Sequence, residues 1–111
     1  MDNCVFCMIA NGSIPASTVY EDDMVLAFCD IEPQAPTHVL VIPKAHVANV
    51  LEADEALMGR MLGVCAKVAG QLGVDGDGFR IVVNTGKFGN QSVQHLHMHV
   101  LGGRMMKWPP G

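Results

Sequence analysis

The chain has 111 residues, half of them hydrophobic and 16% charged, with a formal net charge of -4. That length predicts a single domain, 1–111, and the acidic balance argues against a nucleic-acid backbone binder, which would carry a basic patch. No apolar stretch approaches the ~20 residues of a membrane span, and the start Met1-Asp2-Asn3-Cys4 lacks the basic, then apolar, run of a signal peptide, so a cytoplasmic location is expected.

Residues 4–11 read as a short helix, stopped by Asn11-Gly12 and followed by Pro15. It carries Cys4-Val5-Phe6-Cys7, and a C-x-x-C pair can grip one metal ion through two thiolates. Alone this is a weak signal: no second C-x-x-C exists, so a zinc site would need histidines from elsewhere. In a chain read as cytoplasmic the four cysteines are not expected to form disulfides. Cys29 and Cys65 read as core residues.

Thr18 to Glu21 predicts a strand, Asp22-Asp23 a turn, and Met24 to Cys29 a second strand. Residues 31–36 form a loop broken by Pro33 and Pro36, which cannot donate ladder hydrogen bonds. His38 to Ile42 is an apolar, β-branched strand closed by Pro43. Residues 54–72 predict the long helix, because Leu57, Met58, Met61, Leu62, Cys65, Val68, Ala69 and Leu72 keep the three-to-four spacing of one buried face. Gly73 is the stop. Phe79 to Asn84 is a fourth strand, Thr85 to Ser92 a glycine-containing loop, and His95 to Leu101 a fifth strand. Residues 102–111 form a C-terminal tail whose prolines bar it from helix or central strand. The whole predicts an α+β domain: one five-stranded antiparallel sheet, a short N-terminal helix and one long helix.

The fifth strand carries the densest signal. Three of the five histidines stand at alternate positions in Gln94-His95-Leu96-His97-Met98-His99-Val100-Leu101. Alternation along a strand puts His95, His97 and His99 on one face and Leu96, Met98 and Val100 on the other. Imidazole is the side chain best suited to be nucleophile, proton carrier or metal ligand near neutral pH. A solvated polar sheet face is the bland alternative, but Ser or Thr would serve there without titrating.

This run resembles the H-φ-H-φ-H-φ-φ signature of the histidine triad proteins. The likeness extends through Ala27-Phe28-Cys29-Asp30-Ile31, Gln34-Ala35-Pro36-Thr37-His38, Val41-Ile42-Pro43-Lys44, Asn84-Thr85-Gly86, Gln91-Ser92, Leu101-Gly102-Gly103-Arg104 and Trp108-Pro109-Pro110-Gly111. It covers nearly the whole chain, and the ending resembles the Hint branch of nucleoside phosphoramidases.

The resemblance implies hydrolysis of a bond between an AMP- or GMP-type phosphate and an amine. His97 would attack the phosphorus to form a nucleotidyl-histidine, which splits one hard displacement into two easier ones. His99 would stand beside the same phosphate, with His38 as a further phosphate-side histidine. Asp30 would bind the ribose hydroxyls, although a strand-end aspartate also caps its own turn. The loop 84–92 would supply backbone N–H groups, with Asn84, Gln91 and Ser92 on the substrate side; Asn84 could equally serve a turn. Phe6, Ile9 and Phe28 would wall a base pocket or belong to plain core. The resemblance also implies a structural zinc on Cys4, Cys7, His46 and His95, and a homodimer whose sheets join edge to edge, with the Trp108 tail reaching the neighbouring pocket. Departures occur at Asn90, in a place often held by glycine, and at Lys87-Phe88, which replace a more polar pair. Two other readings stand beside the phosphoramidase. One is a zinc metallohydrolase using the histidine row with His38. The other is a purine-nucleotide-binding or scaffold protein without turnover.

Overall fold

The computed structural model describes residues 3–111; Met1 and Asp2, part of the N-terminus read above for targeting, lie outside the described residues. The elements run α1 (Val5–Ala10), β1 (Thr18–Glu21), β2 (Val25–Cys29), β3 (Thr37–Pro43), α2 (Glu55–Gln71), β4 (Phe79–Val83) and β5 (Met98–Gly102). The strands form one antiparallel sheet in the order β1-β2-β3-β5-β4. The expected α+β architecture is therefore the one observed.

The central strands are buried on both faces, which is why β2 and β3 read as continuous apolar runs rather than alternating ones. One face packs against α2: Val25, Ala27, Val39, Val41, Met98 and Val100 meet Met61, Val64, Cys65, Val68 and Ala69. The other face carries Leu26, Phe28, Leu40 and Ile42, covered by Phe6 and Ile9 of α1. Because α1 has six residues, it covers only part of that face and leaves the rest open.

The long helix is two residues shorter than expected, for capping reasons. Asp54 is its N-cap, its carboxylate accepting the Leu57 N–H at 2.8 Å. Leu72 is the C-cap, and Gly73 follows in the left-handed region at φ 75°. The Gly73 N–H donates to Gly70 O and the Val74 N–H to Ala69 O, a Schellman ending. Leu62 and Leu72, assigned to the buried face by spacing, are exposed, and Val64 lies in the core instead. The buried stripe is narrower than the apolar one.

The fifth strand also differs. The ladder begins at Met98, so His95 and His97 precede it. The chain is held there by the Leu96 N–H donating to Val47 O at 2.6 Å, a contact with the connection before α2. Alternation nonetheless persists: Leu96, Met98 and Val100 share the α2-side core, and the histidines go to the other side.

Candidate active site

The face that α1 half covers bears two rows of cross-strand neighbours. Phe28 of β2 pairs with Leu40 of β3, Leu40 with His99 of β5, and His99 with Val82 of β4. One step along, Asp30 bonds through its N–H to His38 O, His38 pairs with Leu101, and Leu101 with Arg80. A cavity of about 820 Å³ lies over these rows, its apolar end lined by Phe6, Ile9 and Phe28 and its polar end by Asp30, His38, His97 and His99. Asn84, Asn90 and Ser92 also line it. Phe6 stands edge-on to His97, with ring centroids 5.1 Å apart, and to Phe28 at 5.7 Å.

The hydrogen bonds fix the protons on these rings. The Gln34 backbone N–H donates to His38 Nδ1 at 3.0 Å, so a neutral His38 carries its proton on Nε2. That Nε2–H donates to His99 Nδ1 at 2.9 Å, which puts the His99 proton on Nε2. His99 Nε2 is buried and, among the described residues, without a hydrogen-bond partner; a donor in that condition is costly unless something enters the cavity to accept from it. His97 Nδ1 lies 2.7 Å from His95 O. It must be the donor there, which leaves its Nε2 with a free lone pair.

Burial favours the neutral ring throughout. It lowers the pKa of His38, His95 and His97. In His99 burial, joined by repulsion from His97 and His38, brings the pKa down to about 4. Asp30 serves two neighbours: Oδ1 accepts the Glu32 N–H at 2.8 Å, the turn role, while Oδ2 lies 3.4 Å from His38 Nε2 at the cavity.

His95 leaves the row. Its Nε2–H donates to Pro43 O at 2.8 Å, so the Nδ1 lone pair faces Cys4 Sγ at 3.4 Å and Cys7 Sγ at 3.5 Å. His46 Nδ1 lies 3.2 Å from Cys7 Sγ. The donor atoms of all four residues fall within 4.8 Å of one another. Sulfur and nitrogen ligands around a tetrahedral zinc are about 3.5 Å apart, so these residues fit that ion. Cys4 is at once the N-cap of α1, its sulfur accepting the Cys7 N–H at 3.4 Å, so the helix start presents both sulfurs to His95. A second set, Asp30, His38 and His99, also gathers its donor atoms within 4.8 Å.

Gln91 is not where the sequence reading put it. Its Oε1 accepts the Gly86 N–H at 3.1 Å, and its Nε2 donates to Ala48 O at 2.7 Å and Val93 O at 3.0 Å. The amide is thus consumed in pinning the loop, and it does not line the cavity. Asn90 adopts φ 60°, a left-handed conformation that suits glycine and that Asn tolerates better than most residues. The Gln34 N–H, the Pro43 carbonyl and the His95 carbonyl escape sequence reasoning altogether, because backbone groups leave no mark in residue identity.

A HIT domain family model matches residues 11–106. An uncharacterized HIT-like protein of Synechococcus elongatus is 50% identical over 113 residues, spanning 99% of this chain and 98% of that protein. The crystal structure of a HIT family hydrolase from Legionella pneumophila superposes with a TM-score of 0.94 at 48% identity, covering 98% of this chain and all (100%) of that one. A zinc-bound histidine triad family protein from Mycobacterium smegmatis gives a TM-score of 0.84 at 36% identity, over 93% of this chain and 76% of that one. By sequence, fold and the disposition of its histidines, the chain belongs to the histidine triad (HIT) family.

Proposed function

We propose that the protein is a purine nucleoside phosphoramidase of the Hint-like branch, acting on AMP- or GMP-type phosphates joined to an amine. The observation that carries this reading is the pair of fixed tautomers. A buried imidazole with a free Nε2 lone pair, His97, stands beside a second imidazole, His99, whose Nε2–H has no partner among the described residues; the ring centroids are 5.0 Å apart.

His97 Nε2 attacks the phosphorus. The P–N bond to the amine breaks, its electron pair stays on the departing nitrogen, and that nitrogen takes a proton from solvent. His97 keeps its Nδ1 proton, so the nucleotidyl ring is cationic and held by the His95 carbonyl. Water then attacks the phosphorus and gives a proton to solvent, and the bond to His97 breaks to restore the neutral ring. His99 Nε2–H, with Asn84 and Ser92, donates to the phosphoryl oxygens as charge gathers there. Asp30 Oδ2 accepts from the ribose, and Phe6, Ile9 and Phe28 hold the base.

Cys4, Cys7, His46 and His95 would hold a structural zinc, and the mycobacterial histidine triad family protein compared above is zinc-bound. It would supply a crosslink from α1 to the segment that orients His97. A cytoplasmic setting, where thiols stay reduced, suits that ligand set. The single domain 1–111, with 102–111 as its tail, would act as a homodimer. A metallohydrolase reading draws on the second donor set, Asp30, His38 and His99; a nucleotide-binding protein without turnover would use the same cavity.

The test is to quench a reaction with an adenosine phosphoramidate at short times and weigh the intact protein. A mass gain of one nucleotidyl group is expected on the wild type and absent from His97→Ala. Turnover by that variant should fall by about four orders of magnitude or more. Near-normal turnover by a folded His97→Ala protein would rule out the nucleophile. Activity abolished by chelation, with no adduct at any time, would favour the metallohydrolase.

A further inference from the structure

Asn90 is out of keeping with the rest of the backbone. Its φ is 60°, and every other residue of positive φ among the described residues is a glycine. A left-handed backbone costs an L-residue energy that glycine does not incur. Asparagine commonly offsets that cost because its carboxamide can hydrogen-bond locally. Here the carboxamide makes no hydrogen bond among the described residues; the loop is tied by Gln91 and Gln94 instead. The side chain thus gives its own loop no bond. A residue held in a costly conformation that folding does not reward is a pointer to function.

Its surroundings say which function. Asn90 is exposed and lines the large cavity, as do Asn84 and Ser92 of the same loop and His97 and His99. The loop spends several of its own backbone donors internally. The Gly86 N–H is taken by Gln91 Oε1 at 3.1 Å, the Gln91 N–H by Gly86 O at 3.1 Å and the Asn90 N–H by Lys87 O at 3.1 Å. Donors for a bound anion must then come from side chains, and a carboxamide supplies two N–H donors without a charge.

The residues on either side of Asn90 are fixed. Before it, Gly89 passes so close to Thr85 that a Cβ there would lie 2.5 Å from Thr85 O. After it, the Gln91 amide is bonded to Ala48 O at 2.7 Å and Val93 O at 3.0 Å. A donor carried on so constrained a turn is in place before substrate arrives, the condition under which such groups stabilise developing charge best.

We propose that Asn90 is a further catalytic residue, whose carboxamide Nδ2–H donates to a non-bridging oxygen of the substrate phosphate together with His99 Nε2–H. The inference rests on the phosphoramidase reading above: as His97 Nε2 attacks, negative charge grows on those oxygens and the bond from Asn90 strengthens. Asn90 gives up no proton and forms no covalent bond.

The test separates the side chain from the backbone. Asn90→Gly removes the carboxamide and suits φ 60°, so it should melt like wild type. It should nonetheless lower kcat/KM for adenosine 5′-phosphoramidate about tenfold or more. It should weaken AMP binding while leaving the affinity for adenosine, which presents no phosphate, at its wild-type value. Asn90→Asp tolerates the same backbone but offers a carboxylate where the donors were. It should lose more than Asn90→Gly, and the extra loss should shrink as salt screens the repulsion. A role confined to loop shape predicts the reverse, with glycine at least as active as asparagine. Wild-type kcat/KM together with wild-type AMP affinity in Asn90→Gly would overturn the proposal. So would an Asn90→Gly protein that weakens AMP and adenosine equally. If wild type binds AMP but turns over no phosphoramidate, the phosphoramidase reading falls, and the AMP-to-adenosine ratio still decides whether Asn90 holds the phosphate.

Discussion

Asp30 shows how one side chain holds two roles that sequence alone leaves as rivals. Its Oδ1 closes the turn through Glu32 N–H, and its Oδ2 is at the cavity beside His38. The two oxygens can be separated by substitution. Asp30→Asn keeps an acceptor for the turn but removes the charge. Asp30→Ala loses both. If Oδ2 accepts from the ribose, Asp30→Ala should narrow the preference for ribo- over 2′-deoxynucleotides about tenfold, since a site that hydrogen-bonds a hydroxyl discriminates strongly against its absence. Asp30→Asn should fall between the two while melting like wild type. Competition binding of AMP and dAMP measures the ratio; a ratio unchanged in Asp30→Ala would leave only the turn role. At this scale the residue types were legible, and their partners were not. The histidine row announced itself. Yet which nitrogen of each ring carries the proton depends on Gln34 N–H, His95 O and Pro43 O, backbone atoms whose placement residue identity does not encode. Gln91 shows the opposite error: a polar side chain in a glycine-containing loop beside the histidines looks like a ligand contact, and here its amide holds the loop together.

The helices and strands were legible where local pattern and burial agree. The strand β3 is apolar at every central position because both of its faces are covered, and α2 carries its own cap and stop signals in Asp54 and Gly73. The fifth strand was less so. Its alternation predicts which way each histidine points, but the start of its ladder depends on Leu96 bonding to Val47, a contact that no periodicity encodes. The short helix α1 is the element with most at stake. Six residues make a marginal helix in isolation, and this one is fixed by Phe6 in the second core and by Cys4 and Cys7 facing His95. Burial and the adjacent Cys4 raise the Cys7 pKa, and a bound cation would reverse that by favouring thiolates. Protein purified without added metal should therefore contain close to one zinc per chain. Its removal should lower the melting temperature, because a site assembled only on folding adds its binding energy to stability. Turnover should fall with it, since the His95 carbonyl that orients His97 is anchored through the same residue. Metal-free protein with unchanged melting and full activity would refute the site.

The whole molecule leaves one edge of its sheet open. Both outer strands have unpaired backbone groups, but β1 is irregular, with a register shift between Thr18 and Tyr20, and such irregularities blunt an edge. By contrast β4 pairs in unbroken register with β5 and is only half buried along its length. It is the edge suited to a second copy. The tail points the same way. Within one chain Trp108 is 81% exposed and Met105 89%, more apolar surface than an isolated tail would leave in water. Trp108 is the only tryptophan, so its fluorescence reports this directly. Light scattering at about 10 µM should give twice the 11.9 kDa chain mass. Dilution should red-shift the emission in step with the loss of that mass as the indole returns to water. Deleting residues 105–111 should alter the relative rates for bulky and small leaving groups more than it alters the melting temperature. A monomer at that concentration would sink the dimer. A dimer whose emission is that of a fully hydrated indole, and whose truncated form keeps the wild-type substrate profile, would confine the interface to β4 and leave the tail without a part in the neighbouring site.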